Sequence, residues 1–315
     1  MLSTAWSRSF GLRLPIVNAP MGGVAGGRLA AAVTAAGGLG MVGMGSVATR
    51  ELLRTQLEQV HGMFGIGLVD WVMRKEPGLL EDALAARPAL LSVSFGTEWS
   101  WVSAAHDAGI TTVTQIYDGL GARQAVDAGV DIVVARGSEG GGHGDAKLGT
   151  LPLLDAVLDA VPVPVLAGGG IASPRSLAAV LAAGASGAWV GTRLAACPEA
   201  LTGDGSRRAL IAAGATDTAI TRIFDIAKGL PWPARFPSRV LANDFVARWT
   251  GKEDELAANR QARDELAGSI DADDRRIAPV TAGQGVGMIS DDASVGEVIE
   301  RMCAGAEKLL AGWGP

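Results

Sequence analysis

The chain has 315 residues, 48% of them hydrophobic and 19% charged, which is enough apolar material for a large core and too little charge for a disordered chain. Its net charge of −6 and its lack of lysine or arginine runs argue against a nucleic-acid or anionic-membrane partner. The N-terminus has no signal-peptide pattern and the two cysteines have no CxxC or metal-ligand spacing, so the sequence predicts a cytoplasmic protein without a metal site.

A short pattern recurs along the chain: an alanine-rich helical stretch, then Ala-Gly, then a short apolar run. Glycine ends a helix in the left-handed conformation, and apolar runs without polar alternation are typical of parallel strands covered on both faces. The predicted strands are 15–19, 39–42, 63–69, 89–95, 110–114, 131–136, 163–167 and 187–191. The predicted helices lie near 26–36, 49–60, 78–86, 99–108, 119–128, 151–160 and 174–184.

Eight parallel strands favour a closed (β/α)₈ barrel, the TIM barrel, over an open Rossmann-like sheet, which is the alternative. After the eighth strand the pattern stops. Residues 200–275 contain Trp-Pro and Phe-Pro pairs and a charged stretch, and we interpret them as a mostly helical insertion subdomain. Residues 294–310 have helical spacing and are expected to form the last barrel helix. The barrel would then comprise 1–199 and 276–315.

Glycine-rich loops follow the seventh and eighth predicted strands. Gly168, Gly169 and Gly170 precede a helix start at Ser173-Pro174, and the eighth strand ends in Gly191-Thr192. In such barrels function lies at the carboxyl ends of the strands, and phosphate often binds after strands 7 and 8. Backbone N–H groups at a helix start bind anions. The loops therefore predict a phosphate site, unless these glycines only permit tight packing.

A second glycine pattern, GxGxxG at residues 38–43, does not predict a dinucleotide site. It follows a helix and straddles a strand, whereas the dinucleotide fingerprint needs a strand, then the glycines, then a helix. We interpret these glycines as a helix-to-strand turn with close packing.

His143 is the candidate catalytic residue among the three histidines. It lies in a glycine-rich segment just after the sixth strand, on the expected catalytic face, whereas His61 and His106 precede strands. A neutral imidazole accepts a proton near neutral pH, and a protonated one binds an anion. Nearby, Glu139 is expected to orient this loop or to cap the next helix, or to be solvated.

Four residues after the third and fourth strands, Asp70, Trp71, Trp99 and Trp101, either line an apolar substrate pocket or pack between elements. The sequence shows no paired carboxylates, no Ser/His/Asp set and no metal-spaced cluster. A bound cofactor is therefore expected to supply the chemistry.

Six segments of the chain resemble blocks of the nitronate monooxygenase family, formerly called 2-nitropropane dioxygenases. A sister group, the flavin-dependent enoyl-acyl carrier protein reductases, shares these blocks. The segments are 14–23 (LPIVNAPMGG), 36–40 (AGGLG), 139–143 (EGGGH), 164–171 (PVLAGGGI), 191–193 (GTR) and 282–285 (AGQG).

The resemblance implies FMN and oxidation of an alkyl nitronate by O₂ to a carbonyl compound and nitrite. His143 would hold the anionic substrate or take the α-proton of a neutral nitroalkane. A homodimer is compatible with the resemblance. The residues it assigns to the cofactor are Pro20, Met21 and Gly22 at the ring, Gly169, Gly170, Gly191 and Thr192 at the phosphate, and Arg136 and Gly141 beside them.

Four positions depart from the family's usual residues: Arg136 stands for glutamine, Gly67 for asparagine, Gly140 for alanine or serine, and Trp189 for glutamine. A guanidinium near the N1/C2 carbonyl edge of the ring would stabilise an anionic reduced flavin and raise its reduction potential. The alternative is that Arg136 pairs with Glu139 or turns to solvent.

The resemblance leaves three functions open. The first is an FMN-dependent nitronate monooxygenase. The second is an NAD(P)H-dependent flavin reductase of the enoyl-acyl carrier protein reductase type. The third is a protein that binds a flavin or another phosphate ligand without turnover, for which replacement of His143 would change no activity.

Overall fold

The fold is built on eight parallel strands, and the computed structural model describes residues 2–312. The strands in chain order are β1 (Ile16–Asn18), β2 (Gly40–Met44), β3 (Phe64–Val69), β4 (Leu90–Ser94), β5 (Thr111–Ile116), β6 (Ile132–Arg136), β7 (Gly142–His143), β8 (Val165–Gly168), β9 (Gly187–Val190), β10 (Thr218–Thr221) and β11 (Ser238–Leu241). The parallel sheet has the spatial order β1-β9-β8-β6-β5-β4-β3-β2. The eight predicted strands are the eight members of this sheet.

The sheet closes on itself between its two edge strands. A parallel bridge joins Val17 on β1 to Leu39 just before β2, and the Leu39 amide donates to the Ile16 carbonyl oxygen at 2.9 Å. The prediction of a (β/α)₈ barrel is therefore confirmed, and the open-sheet alternative is wrong. Closure matters for the site because it brings the carboxyl ends of all eight strands around one opening.

Helices between the barrel strands follow the predicted series, and further helices precede β1 and follow β9. They are α1 (Ala5–Ser9), α2 (Gly27–Ala35), α3 (Arg50–Leu57), α4 (Asp70–Lys75), α5 (Leu79–Ala85), α6 (Ser100–Asp107), α7 (Gly119–Asp127), α8 (Thr150–Leu158), α9 (Pro174–Ala182), α10 (Thr192–Ala195), α11 (Asp204–Ala212), α12 (Ile223–Lys228), α13 (Asp244–Trp249), α14 (Glu253–Ala258), α15 (Arg260–Asp271) and α16 (Val295–Ala311). A 3₁₀ helix spans Gln284–Met288. The short helices α1 and α4 were not predicted, because five or six residues are too few to show helical periodicity.

The core has two layers, as expected for strands buried on both faces. Side chains from seven of the strands and their ends fill the barrel interior, and Trp6 of α1 packs with them beside Gly187 at the amino end. Trp189, which stands where the family usually has glutamine, is one of these interior residues. The second layer packs the outer strand faces against the helices.

The last helix, α16, packs against α9 and α2 and completes the ring, as predicted from its spacing. Its N-terminus is fixed by a capping box in which Ser294 and Glu297 exchange hydrogen bonds. Among residues 2–312, no helix has the length and apolar character that a membrane crossing requires.

The segment 200–275 contains α11 to α15 and has its own hydrophobic cluster, which includes Phe224, Phe245 and Trp249. It is mostly helical, as predicted, but it also contains β10 and β11. These two strands form a three-stranded antiparallel sheet with β7, which lies in the segment between the barrel strands β6 and β8. This sheet was not predicted, since strands of at most four residues show no recognisable alternation. The domain boundary at 199/200 stays a prediction.

Candidate active site

A cavity of about 1170 Å³ opens at the carboxyl ends of the barrel strands. Every residue that the sequence singled out for catalysis or cofactor binding lines it, from five separate stretches of the chain. They are Pro20, Met21, Gly22, Arg136, Gly141, His143, Gly169, Gly170, Gly191 and Thr192. The structure thus brings the predicted set together, while the role of each residue stays a prediction.

The loops after β8 and β9 have the properties of an anion cradle. Gly169 and Gly170 have φ angles of +108° and +69°, in the left-handed region that glycine adopts without strain. Among residues 2–312, the amides of Gly169, Gly170 and Gly191 donate no hydrogen bond to the protein, although all three residues line the cavity. Unpaired amides at a wall of a cavity suit an anionic ligand such as a phosphate.

Helix α9 begins directly after the first of these loops. Ser173 is its N-cap and forms a capping box with Ser176, and Pro174 is the first helical residue. Both assignments were predicted from the sequence. The start of α9 is thereby fixed, so its N-terminal dipole adds to the attraction for an anion at the loop.

The segment 282–285 joins the glycine loops to one another. The Gly283 amide donates to Thr192 Oγ1 at 2.9 Å, and the Gln284 amide donates to the Glu139 carbonyl oxygen at 2.9 Å. A Cβ on Gly283 would lie 2.6 Å from that same carbonyl oxygen, so only glycine allows this approach. The segment links the turn after β9 to the loop that carries the catalytic candidate.

The floor of the cavity near β1 is equally tight. A Cβ on Gly22 would lie 2.4 Å from the Gly45 Cα, and a Cβ on Gly67 would lie 2.3 Å from the Pro20 side chain. Asparagine at position 67, the family's usual residue, has no room beside Pro20 in this arrangement. The GxGxxG glycines pack in the same way: a Cβ on Gly40 would collide with the Ala30 carbonyl oxygen.

His143 is held by the inserted segment. The backbone of His143 pairs with that of Ser238 in the small antiparallel sheet. The imidazole Nε2 lies 2.9 Å from Asp225 Oδ2 on α12. The imidazole ring also stacks on Trp232, with ring centroids 3.5 Å apart and an angle of 7° between the planes. Sequence reasoning missed Asp225 and Trp232 as site residues. The Trp232-Pro233 pair was noticed only as a change in composition.

The aromatic wall of the cavity differs from the expected one. Phe95 and Trp232 line it, and Trp71 packs edge-on behind Trp232 with centroids 5.7 Å apart. Trp101 is buried in the outer core layer and Trp99 packs against it. Of the two roles offered for Asp70, Trp71, Trp99 and Trp101, packing between elements is the one that the structure shows, since none of the four lines the cavity. Asp70 pairs with Arg74 instead.

Arg136 is buried, and its Nη2 donates to three carbonyl oxygens of the loop before His143. The distances are 2.9 Å to Gly140, 2.9 Å to Gly141 and 3.0 Å to Gly142. Burial lowers the pKa of Arg136 from its ordinary value, but a guanidinium remains protonated near neutral pH. The expectation that Arg136 pairs with Glu139 or solvent is wrong.

Glu139 has a different partner. Its carboxylate accepts from the Thr150 amide at 2.8 Å and from Thr150 Oγ1 at 2.9 Å, at the first residue of α8. It thus caps the following helix, which was one of the expected roles, and it also fixes the loop of residues 139–143. A carboxylate at a helix N-terminus is favoured by the helix dipole.

The remaining histidines lie at the opposite end of the barrel. His61 is exposed before β3, and His106 Nε2 lies 3.0 Å from Asp131 Oδ2 before β6. Their position at this end of the barrel was correctly predicted, since residues before a parallel strand lie at its amino end.

The cavity continues outward from His143 between α12 and α15. This outer part is lined by apolar side chains such as Leu266 and Ile270 and by the basic residues Lys228, Arg260 and Arg263, with Asp264 and Asp271 among them. An apolar body carrying an anionic group would suit these walls.

The chain is similar to known proteins both in sequence and in fold. A family model described as nitronate monooxygenase matches residues 3–65 and 76–305. The chain is 31% identical to a nitronate monooxygenase of Pseudomonas aeruginosa, over 84% of this chain and 97% of that protein. It is 32% identical to an octahydro-indene-carboxyl-CoA dehydrogenase of Rhodococcus jostii, over 78% of this chain and 67% of that protein. The structure of FabK from Thermotoga maritima superposes with a TM-score of 0.84 and 25% identity, over 99% of this chain and 98% of that one.

Proposed function

Because the chain belongs to the nitronate monooxygenase family of flavin oxidoreductases, we propose that it binds FMN and oxidises alkyl nitronates with O₂ to a carbonyl compound and nitrite. One observation carries the proposal: the cavity that holds the unpaired amides of Gly169, Gly170 and Gly191 is also lined by His143. A phosphate-bearing cofactor and a titratable side chain would therefore share one space.

The residues present fit FMN at two points. The amides after β8 and β9 would bind its phosphate, with the N-terminus of α9 behind them. Pro20, Met21 and Gly22 would lie against the ring system. FMN, when bound, supplies the redox chemistry that the side chains of the cavity lack.

The chain's own residues would bind and orient the substrate. His143 would accept the α-proton of a neutral nitroalkane or, when protonated, hold a nitronate anion. The apolar surfaces of Phe95 and Trp232 would exclude water from the reacting carbon. The cation of Arg136 would strengthen the attraction for negative charge in the cavity while its hydrogen bonds hold the loop of residues 140–142.

The experiment is anaerobic mixing of the purified protein with propionate 3-nitronate and, separately, with NADH or NADPH. The protein should show a flavin spectrum that is bleached by the nitronate and not by the reduced nicotinamides, and air should then restore colour with release of nitrite. A colourless protein that takes up no FMN would refute the cofactor. A yellow protein that is bleached by neither would support a binding role without turnover.

A second candidate is an NAD(P)H-dependent reductase of enoyl thioesters. It is favoured by the size of the cavity, about 1170 Å³, which exceeds the range of roughly 300–1,000 Å³ usual for one small ligand. The apolar and basic walls between α12 and α15 would suit a thioester with an anionic carrier. Rapid bleaching by NADH or NADPH in the same experiment, followed by recolouring with an enoyl thioester, would support this function over the first.

A further inference from the structure

The carboxylate of Asp225 is buried against His143. The side chain of Asp225 is 9% exposed, and its one hydrogen bond to a side chain, among the described residues, is to His143 Nε2 at 2.9 Å. A buried carboxylate is costly unless it is paired with a donor. Within residues 2–312, the imidazole is the one hydrogen-bond donor to this carboxylate, so the proton on that ring belongs on Nε2.

The plane of the imidazole is fixed independently by Trp232. The two rings are stacked, and the indole is itself held by its Nε1–H, which donates to Ser46 Oγ at 3.0 Å. Phe95 packs edge-on against the same indole with centroids 5.0 Å apart. Stacking sets the ring plane and the Asp225 hydrogen bond sets its rotation within that plane. No hydrogen bond to Nδ1 is formed by residues 2–312.

We infer that Asp225 is a positioning residue that fixes the tautomer of His143, so that Nδ1 is the atom that accepts the substrate's proton. The inference rests on the proposed function for the identity of that substrate. The α-C–H bond of a neutral nitroalkane breaks, its proton moves to Nδ1, and the electron pair stays on the substrate as the nitronate. The imidazolium formed is balanced by the Asp225 carboxylate, and no electron leaves the substrate in this step.

This assignment gives the inserted segment a catalytic purpose. Asp225 and Trp232 both belong to residues 200–275, whereas His143 lies on β7, in the segment that follows barrel strand β6. The base is His143, and Asp225 of the inserted segment determines which nitrogen atom of the imidazole accepts the proton.

The first measurement is imidazole nitrogen NMR of the unmodified protein, with His143→Gln used to assign the signal. We expect a protonated Nε2 and an unprotonated Nδ1 for His143 in the neutral ring. A proton on Nδ1 would overturn the inference, whatever the substrate of the enzyme proves to be.

The second measurement compares kcat for a neutral nitroalkane with kcat for its preformed nitronate. In Asp225→Asn, the ratio of the first to the second should fall by about tenfold or more, since only the nitroalkane requires the proton transfer. Asp225→Glu should recover part of the loss. Asp131→Asn is the matched control, because it removes the carboxylate partner of His106 at the other end of the barrel and should leave the ratio unchanged.

The outcomes separate the inference from the proposed function. Equal losses on both substrates, with unchanged nitrogen signals of His143, would mean that Asp225 only attaches the insertion and would overturn the inference. An unmodified enzyme that turns over neither substrate would refute the proposed function, while the NMR measurement would still decide the tautomer. If Asp225→Asn does not fold, Asp225→Glu and the NMR measurement on the unmodified protein keep the inference testable.

Discussion

The contact between Gly140 and Arg136 predicts that alanine is tolerated at position 140 only when arginine is absent from position 136. A Cβ on Gly140 would lie 2.7 Å from Arg136 Nε and 2.9 Å from its Cζ. The guanidinium cannot simply move aside, since its Nη2 is bonded to the carbonyl oxygens of Gly140, Gly141 and Gly142. Two departures from the family's usual residues are thus explained by one contact.

The expected magnitude follows from overpacking. Gly140→Ala should lower the free energy of unfolding by about 1–3 kcal/mol in the natural chain, the usual cost of forcing an extra carbon into a packed site. Arg136→Gln also destabilises the loop, by roughly 2 kcal/mol, because charged hydrogen bonds are lost. In the Arg136→Gln background, alanine at 140 should cost less than about 1 kcal/mol, since glutamine lacks the Cζ and Nη atoms and its end is free to rotate.

The assay is urea unfolding of the four proteins of this double-mutant cycle, followed by circular dichroism. A coupling of about 1–2 kcal/mol between the two positions is expected. Gly296→Ala is the control, because a Cβ there meets nothing within 4 Å on the exposed start of α16. An equal cost of Gly140→Ala in both backgrounds would refute the steric argument.

Three further predictions concern charge and burial. In the FMN-loaded protein, Arg136→Gln should lower the two-electron reduction potential of the flavin by roughly 30–60 mV, or about 1.4–2.8 kcal/mol. The measurement is spectroelectrochemistry, and an unchanged potential would contradict the proposal that the Arg136 cation stabilises negative charge in the cavity. Burial raises the pKa of the Cys197 and Cys303 thiols to about 12. A thiol reagent at about pH 8 should therefore react slowly with the folded protein and rapidly in urea. Fast reaction with the folded protein would contradict the burial of these thiols. The Arg301 guanidinium lies 2.8 Å from Asp291 and holds the pKa of that carboxyl far below its usual range. The ionised Asp291 carboxylate therefore stabilises the fold above about pH 4, and this stabilisation is lost as the pH falls further. The stability gap between the natural chain and Asp291→Asn should therefore narrow on acidification in urea titrations, and a gap that widens would contradict this sign.

The arginine at position 136 shows the limit of reasoning by resemblance. The sequence identified it as a departure and offered two orientations, toward a flavin edge or toward Glu139 and solvent. The structure rules out the second orientation and shows the guanidinium bonded inside the loop that carries His143 while Arg136 still lines the cavity, so its action on a flavin stays a prediction. Backbone carbonyl oxygens leave no trace in a sequence, so this partner was not predictable.

The barrel and the glycine loops were determined by the sequence itself, because their signals are local: an apolar run for each strand, a glycine after each helix, and a cap such as Ser173-Pro174 at a helix start. Topology then required the ends of parallel strands to meet. The pairing of Asp225 with His143, which are 82 residues apart, was decided only by the tertiary structure. It depends on how the inserted segment packs over the barrel through β7, β10 and β11. That packing is a sum of weak contacts between distant residues, and no short stretch of sequence encodes it.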